Sequence, residues 1–270
     1  MRILVTNDDG IHARGLQLLE RVARTLSDDV WVVAPADEMS GAGHSLTISR
    51  PLRLREAGPQ RYAVSGTPTD CVVMALSLMR EAGGPPDLVL SGINAGANLG
   101  EDVTYSGTVS AAMEGALIGL RSIALSQVHP ARSTGGTFSF AAAEAWAARA
   151  IAPLIDAPFP RHTLVNINFP PIAAEAVRGI RVAAQGFRAM ARARITERTD
   201  PRGNPYYWLN FGEVENAPEP ASDLVAVAEG FVAVTPLHLD MTDRPGLGRL
   251  AGLYAARAGR GGDDAPSAMR

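Results

Sequence analysis

Three short segments of this sequence are apolar at nearly every position, and they constrain the fold more than any other feature. They are ILV within residues 2–6, VWVVA at residues 30–34 and LVL within residues 87–91. A strand with one solvated face alternates apolar and polar residues, whereas a strand that is apolar on both faces is typical of a buried parallel sheet. Between the first and second segments, apolar residues recur at helical spacing at Leu16, Leu19, Ala23 and Leu26. The chain is therefore predicted to open with a βαβ unit.

The same alternation continues beyond the opening unit and predicts the fold class. The TPTD segment at residues 67–70 is a good helix start, because threonine can cap, proline suits the first helical position and aspartate complements the helix dipole. Further helices are predicted at residues 108–120 and 138–155, with strands at residues 122–126 and 163–169. Alternating strands and helices imply a doubly wound α/β sheet with right-handed crossovers.

Three regions are predicted along the chain. Residues 1–185 form the α/β core, in which LTIS, LRLR and RYAVS make a less regular strand region. Residues 186–245 contain RARITERTD, PRGN and PYYWLNF, which predict a β-hairpin arm, and FVAVTPL, which predicts a late strand that returns to the core. Residues 246–270 are predicted to form a C-terminal helix or tail, rich in glycine, alanine and charged residues.

Composition excludes several mechanisms and compartments. All 25 basic residues are arginine, which excludes Schiff-base chemistry and the lysine of a phosphate-binding P-loop. The net charge of −3 provides no basic field for a nucleic-acid polymer. The one cysteine, Cys71, can form no internal disulfide and is expected in the core. No apolar run approaches the roughly 20 residues of a membrane span, and the N-terminus does not resemble a signal peptide, so we expect a cytoplasmic protein.

The candidate site follows from the fold class. In an open parallel sheet, ligands bind beyond the carboxyl ends of the strands, so the residues directly after each strand matter most. After the first strand the chain reads NDDG, after the second it carries SGAGHS, and after the third it reads GINAGAN. The candidate residues in these loops are Asn7, Asp8, Asp9, Ser40, Gly41, His44, Asn94 and Asn98.

Asp8 and Asp9 are adjacent carboxylates at a predicted strand end. Buried without a partner, they would repel each other at a cost of several kcal/mol, and a bound cation would remove that cost. Carboxylate, hydroxyl and amide oxygens, without a cluster of cysteine or histidine, suit Mg²⁺ or Mn²⁺ better than Zn²⁺. Taken alone, an Asp-Asp-Gly segment is more often an exposed turn. The position at the strand end favours the metal site.

Glycine-rich loops and a helix start provide candidate phosphate contacts. Glycines allow backbone N–H groups to converge on phosphate oxygens, especially where a helix begins. Ser106, Gly107 and Thr108 stand at the start of a predicted helix, where the two hydroxyls can cap the helix or bind phosphate. Neither glycine-rich loop matches a dinucleotide fingerprint or a Walker loop.

The remaining candidates are weaker. His12 and His44 lie in site-bearing loops, where a single histidine is more often solvated or structural. His238 is predicted to be a core residue of the late strand, with a subunit contact as the alternative, whereas His129 and His162 are assigned no role. The arginine-rich stretch at residues 188–198 is predicted to be a solvated arm, with nucleotide binding as the alternative.

Several of these motifs together resemble the SurE (survival protein E) family of 5′-nucleotidases. They are ILVTNDDGIHARG, MSGAGHSLT, GTPTDCV, LVLSGINAGANLGEDVTYSGTVSAAMEGALIG and VTPLHLDMTD, in the family's order over residues from about 1 to 245. The long segment SGINAGANLGEDVTYSGTVSAAMEG is the most specific. The resemblance implies a Rossmann-like three-layer α/β/α sandwich with a C-terminal hairpin extension. It also implies a homodimer or homotetramer with exchanged C-terminal elements, and hydrolysis of nucleoside 5′- and often 3′-monophosphates, sometimes of short polyphosphate.

The resemblance also implies roles for particular residues. The family's ligands for one divalent cation per subunit, Mg²⁺ or Mn²⁺, fall on Asp8, Asp9, Ser40 and Asn94. Positions that line the phosphate and substrate site fall on Asn98, Ser106, Gly107 and Thr108, and we add Asn7, Gly41 and His44 from the neighbouring loops. The chain departs from the family at Arg14, where proline is usual, and at GAGHS, where the family often reads GASNS.

The resulting hypothesis is metal-assisted hydrolysis of a phosphomonoester, with Asp8 or Asp9 as general base. A phosphoacceptor receiver domain fits poorly, because it needs an acceptor aspartate after the third strand and a lysine after the fifth. An aspartyl-phosphate phosphatase would use a DxD motif, whereas the acids here are adjacent. A nucleotide-binding module without turnover remains an alternative.

Overall fold

The fold is that of a computed structural model, which describes residues 1–130, 136–188, 194–210 and 219–260. The described chain contains the strands β1 Arg2–Thr6, β2 Asp29–Pro35, β3 Leu54–Gly58, β4 Arg61–Val64, β5 Leu88–Ala95, β6 Arg121–Gln127, β7 Thr163–Phe169, β8 Ile180–Val182, β9 Arg194–Thr199, β10 Pro205–Asn210 and β11 Val232–His238. Nine of them form one sheet, in the spatial order β3-β4-β2-β1-β5-β6-β7-β11-β8, and β9 and β10 form a separate hairpin.

Helices connect most of the strands. They are α1 Arg14–Arg24, α2 Pro68–Glu81, α3 Gly107–Leu117, α4 Ala141–Ile155, α5 Asp223–Ala228 and α6 Arg244–Arg260, with short 3-10 turns at Gly100–Thr104 and Ala174–Ala176. The central strand pairs β2–β1, β1–β5, β5–β6 and β6–β7 are parallel, whereas β3–β4 is antiparallel. The predicted fold class, a mostly parallel α/β sheet with a C-terminal antiparallel hairpin, is confirmed by this topology.

Alternate residues of β1 enter two different cores, which explains why its sequence is apolar on both faces. Ile3 and Val5 pack in a cluster with residues of α1 and α4, and Leu4 packs in a second cluster with residues of α2 and α3. Cys71 is completely buried in the second cluster, as predicted, and this burial raises the pKa of its thiol. Helices therefore cover both faces of the sheet, as a three-layer sandwich requires.

The start of α2 shows how local sequence determines an element boundary. The Thr67 hydroxyl accepts a hydrogen bond from the Asp70 N–H at 3.1 Å, and the Asp70 carboxylate accepts one from the Thr67 N–H at 2.8 Å. With Pro68 at the first helical position, this reciprocal capping box satisfies two N–H groups that the helix itself leaves unpaired. The predicted helix start is confirmed.

Several predicted elements differ from the structure. The LTIS segment at residues 46–49 forms no strand, and the strand region begins only at Leu54. The exposed His238 was wrongly predicted to be a core residue. It is the last residue of β11, and side chains alternate along a strand, so the preceding Leu237 is buried and His238 points outward. The predicted helix at residues 108–120 ends at Leu117.

Residue contacts divide the chain into two compact units, Met1–Leu237 and His238–Arg270. The first unit contains the nine-stranded sheet and the hairpin, and the second contains α6. The boundaries predicted at residues 185 and 245 stay predictions. Among the described residues, no helix is both long enough and apolar enough to cross a bilayer.

Asp223, at the start of α5, holds two distant segments beside the sheet. Its side chain is completely buried, and its carboxylate accepts hydrogen bonds from the N–H groups of Gly100, Gly186 and Leu224 at 2.8 to 2.9 Å. Gly100 belongs to the loop after β5, and Gly186 follows β8. One carboxylate therefore satisfies donors from three parts of the chain.

We expect Asp223→Asn to lower the free energy of unfolding by about 2 kcal/mol or more. An amide has only one acceptor oxygen, so its NH₂ group faces an N–H donor and leaves a buried polar group unpaired. Urea unfolding followed by circular dichroism measures the change. The exposed Asp156 provides the control, since Asp156→Asn is expected to change stability by less than about 0.5 kcal/mol. Equal unfolding midpoints for the two variants would contradict this role.

Candidate active site

The register of the sheet brings the first and third predicted loops together. Strands β1 and β5 are parallel neighbours in which Thr6 pairs with Ser91, so the loops that follow them leave the sheet side by side. The Ala95 N–H donates a hydrogen bond of 3.1 Å to the Asp9 carboxylate. The acid pair after β1 and the segment that contains Asn94 therefore meet at the carboxyl edge of the sheet.

Asp8 is enclosed by the start of α3. Its side chain is 4% exposed, and its Oδ1 accepts a hydrogen bond of 2.5 Å from the Thr108 hydroxyl. Gly107 is the first residue of this helix, and a Cβ atom there would lie 2.8 Å from Cβ of Asp8. Only glycine therefore allows the N-terminus of α3 to approach Asp8 this closely.

The second predicted loop also reaches the acid pair. The Met39 N–H donates to the Asp8 carbonyl oxygen at 2.8 Å, which places Ser40 beside the pair. The Ser40 hydroxyl donates to the Glu38 carboxylate at 2.9 Å, and Ser40, Glu38 and Asp9 line one cavity. Sequence reasoning missed Glu38. Its place in the loop after β2, two residues before Ser40, was the available signal.

Burial raises the pKa of both aspartates. The pKa of Asp8 is raised from 3.8 to about 6, mainly by loss of hydration and in part by the charge of Asp9, against the lowering effect of the Thr108 hydroxyl. Burial also raises the pKa of Asp9, partly offset by the Ala95 N–H, and the Glu38 carboxylate adds to the increase. The site thus concentrates negative charge that its described protein neighbours do not neutralise.

The predicted donor set fits a hard divalent cation. Asp8, Asp9 and Ser40 provide carboxylate and hydroxyl oxygens, and the Asn94 amide nitrogen donates to the Gly96 carbonyl at 3.1 Å, which leaves its Oδ1 as an acceptor. Within the described ranges, no group of three or more His, Cys, Asp and Glu side chains is arranged to hold a metal ion. The predicted set does not conflict with that finding. Only two of its members, Asp8 and Asp9, are of these types, and the other two donors are the Ser40 hydroxyl and the Asn94 amide.

The hydroxyls of Ser106 and Thr108, two predicted phosphate contacts, form different hydrogen bonds. The Ser106 hydroxyl accepts a hydrogen bond of 3.0 Å from the Val109 N–H, which is helix capping. The Thr108 hydroxyl instead donates to Asp8. The Asn7 amide donates to the Gly10 carbonyl at 3.0 Å, whereas its buried Oδ1 has no partner among the described residues. Thus Ser106 caps α3, and Thr108 supports the acid pair.

Asn98 lies in a buried polar network at the end of β6 and β7. Its side-chain amide donates to the Ser126 hydroxyl at 2.8 Å, and its N–H donates to the Asn168 carboxamide at 3.0 Å. Its carbonyl oxygen accepts from the side-chain amides of Asn166 and Asn168 at 2.7 and 3.0 Å. In this arrangement Asn98 fixes the path of the loop after β5. Contact with substrate stays a prediction for this residue.

His44 contacts a carboxylate, and His129 contacts an aromatic ring. His44 lies 3.0 Å from the Glu114 carboxylate through Nε2, and Gly41 in the same loop has a φ of 76°. His129, for which no role was predicted, contacts Phe138.

The solvated-arm prediction for residues 188–198 is wrong for Arg188, which forms an ion pair with Asp102 and donates to the Leu99 carbonyl at 2.8 Å. Residues 189–193 of the stretch lie outside the described residues.

Fold and site together define an α/β protein with an acidic, oxygen-rich site at the carboxyl edge of a parallel sheet. A family model described as "Survival protein SurE" matches residues 3–192. A protein of Rhizorhabdus wittichii named 5′-nucleotidase SurE is 58% identical over 255 residues, which cover 94% of this chain and 100% of the relative. One of the same name from Methylobacterium nodulans is 53% identical over 94% of this chain and 100% of the relative.

A solved structure is also similar. The crystal structure of the SurE protein from Aquifex aeolicus is 39% identical and has a TM-score of 0.79, over 94% of this chain and 100% of that chain. The chain belongs to the SurE family, as the resemblance of its motifs predicted.

The raised pKa of Asp8 predicts an unusual effect of removing its charge in metal-free protein. Its contribution to stability is complete below pH 3.8 and is lost as the pH rises through about 6. We therefore expect Asp8→Asn to raise the free energy of unfolding at pH 7 by roughly 2 kcal/mol. At pH 4, the two proteins are expected to be equally stable.

Urea unfolding of chelator-treated protein at both pH values measures this difference. The exposed Asp28→Asn is the control and is expected to change stability by less than about 0.5 kcal/mol. An Asp8→Asn variant that is no more stable than the parent protein at pH 7 would show that the buried charge of Asp8 does not lower stability.

Proposed function

We propose that this chain is a divalent-metal-dependent phosphomonoesterase that hydrolyses nucleoside 5′-monophosphates to nucleosides and inorganic phosphate. The observation that carries the proposal is the buried Asp8 carboxylate, which lies against the N-terminus of α3 with Asp9 beside it. Negative side chains and helix N–H groups then meet at one place, which suits a cation and a phosphate together. The name 5′-nucleotidase carried by relatives at 52–58% identity supports the choice of substrate.

Asp8, Asp9, Ser40 and Asn94 would hold the cation, one Mg²⁺ or Mn²⁺ per subunit. When bound, such an ion polarises a phosphoryl oxygen and lowers the pKa of a coordinated water. Without it, the two aspartates repel each other, and burial raises the pKa of both. The proposed ion therefore accounts for the charge that the fold concentrates at this edge.

The start of α3 is the proposed phosphate-binding element. Of its first N–H groups, that of Val109 is paired with the Ser106 hydroxyl and that of Thr108 faces the Asp8 carboxylate, whereas that of Gly107 has no partner in the described part of the chain. Unpaired N–H groups and the helix dipole together favour an anion at this position. The Gly107 N–H thus donates to a phosphoryl oxygen, with Thr108 next to it, while Asn7, Gly41, His44 and Asn98 border the same loops.

Asp9 is the proposed general base. Asp9 lines the cavity, whereas Asp8 is almost fully buried and accepts a hydrogen bond from the Thr108 hydroxyl. A base must reach the proton of the attacking water, and the cavity that Asp9 lines offers room for one. Asp8 then acts mainly as a metal ligand, held in position by Thr108.

The proposal extends to substrates, assembly and compartment. Nucleoside 3′-monophosphates and short polyphosphate present the same terminal phosphoryl group and are proposed as further substrates. The β9–β10 hairpin exposes Tyr206, Tyr207 and Leu209, and such an apolar surface suits a contact between copies of the chain. We therefore propose a homodimer or homotetramer formed through C-terminal elements, acting in the cytoplasm.

Release of inorganic phosphate from AMP tests the proposal. With Mn²⁺ present the chain is expected to turn over, and excess chelator or Asp9→Asn is expected to reduce the rate by on the order of 1,000-fold, because Lewis-acid and base catalysis each contribute several kcal/mol. The exposed Asp28→Asn serves as the control and is expected to retain full activity. Undiminished turnover in chelator would end the metal proposal, and binding of AMP without any turnover would favour a binding module.

A further inference from the structure

A cavity of about 490 Å³ adjoins the acid pair, and its lining falls into two chemically different groups. Asp9, Glu38 and Ser40 form the acidic group described above. The second group contains Phe138, Phe140, Ser139 and Arg14, together with three small residues. The volume lies within the range that encloses small organic ligands. The second group is not used by the proposed chemistry at phosphorus.

A short chain of contacts connects the acidic group to the aromatic one. The Ala95 N–H donates to Asp9, and the Ala95 carbonyl accepts a hydrogen bond of 3.1 Å from Nε2 of His129. The His129 ring in turn lies 4.2 Å from the Phe138 ring, centroid to centroid. Ala95, at the end of β5, thus connects Asp9 to the contact between His129 and Phe138.

Phe138 and Phe140 have different roles in the cavity wall. Their rings make an edge-to-face contact with centroids 4.9 Å apart. Phe140 packs against the main core cluster, and its ring tip would lie 3.2 Å from a Cβ atom placed on Gly15. Phe138 does not belong to that cluster and is only half-buried. Phe138 therefore presents ring surface to the cavity, and Phe140 supports it from behind.

Arg14 adds hydrogen-bond donors beside the aromatic rings. Arg14 is exposed and lines the cavity, and its guanidinium has no hydrogen-bond or ion-pair partner in the described chain. The next residue, Gly15, is pressed against the Ile93 carbonyl so closely that no Cβ atom fits, which fixes the backbone at this point. A flat aromatic surface with nearby donors suits a heteroaromatic ring better than an aliphatic chain.

We propose that Phe138 is a stacking platform for the nucleobase of the substrate, with Arg14 and Ser139 beside the polar edges of the nucleoside. This inference rests on the proposed function, which puts the phosphate at the start of α3 beside the acid pair and leaves the nucleoside to occupy the adjoining cavity. Stacking on an aromatic face does not depend on the hydrogen-bonding pattern of the base. The subsite therefore accepts all four bases and discriminates nucleotides from sugar phosphates without a base.

The test compares AMP with ribose 5-phosphate in the parent protein and in Phe138→Leu. Leucine keeps an apolar side chain but removes the π surface. We expect Phe138→Leu to lower kcat/KM for AMP by about tenfold, mainly through KM, because stacking strengthens base binding by this order. Its kcat/KM for ribose 5-phosphate is expected to stay within about twofold, and Phe138→Trp is expected to keep the preference for AMP. Equal losses on both substrates, or no loss on AMP, would overturn the assignment.

Calorimetric binding of adenosine separates this inference from the proposed function. Adenosine has no phosphate, so its affinity reports on the base subsite alone, and Phe138→Leu is expected to weaken it about tenfold. Weakened adenosine binding without phosphate release by the parent protein would sustain the subsite and refute the hydrolase. Phosphate release with unchanged adenosine binding would do the reverse.

Phe159 offers a matched control. It is another half-buried phenylalanine, and its ring lies under the Arg121 guanidinium at the amino end of β6, opposite the site. Phe159→Leu is expected to leave both AMP kinetics and adenosine affinity unchanged. A loss of AMP preference in Phe159→Leu as large as that in Phe138→Leu would show that the effect is not local to the cavity.

Discussion

The enclosure of adjacent carboxylates, Asp8 buried and Asp9 half-buried, is the constraint on which the rest of the site depends. Asp8 and Asp9 stand at the end of β1, and Glu38 adds a third negative charge across the cavity. Thr108 donates a hydrogen bond to Asp8, and Ala95 donates one to Asp9. Burial nevertheless raises the pKa of Asp8 to about 6. Such an arrangement is costly in a metal-free chain and becomes favourable when a cation is present. The enclosed charge is thus the physical link between fold and proposed chemistry.

The surrounding structure is built to hold the loops that meet at this point. Gly107 allows α3 to approach Asp8, Asn98 joins β6 and β7 to the loop after β5, and Asp223 ties that same loop to the C-terminal part of the first unit. Each of these contacts satisfies buried polar groups or removes a steric conflict, so each contributes to stability as well as to placement. The same side chains that complete the fold also position the groups of the site.

The sequence predicted the local elements well and the long-range contacts only in part. Strand β7 has the predicted bounds, and α2 begins one residue after the predicted cap, because periodicity and capping are local properties. The approach of Asp9 to Ala95 followed from the rule that parallel strands end at one edge. Glu38 was missed although it lies two residues before Ser40 in a predicted site loop, whereas the position of Phe138 depends on how a loop folds beside a distant strand. The exposure of His238 was missed because β11 is buried at four successive positions and alternates between exposed and buried side chains only over its last three residues.

Titration calorimetry of Mn²⁺ into the chelator-treated protein tests the central claim most directly. If two repelling carboxylates make the site, one ion binds per chain, and its affinity falls by about tenfold between pH 7 and pH 5, since Asp8 with a pKa of about 6 must lose its proton to bind. Asn94→Ala, which removes a neutral donor, is expected to weaken binding at both pH values alike. Absence of saturable binding, or an affinity that does not change with pH, would contradict the account.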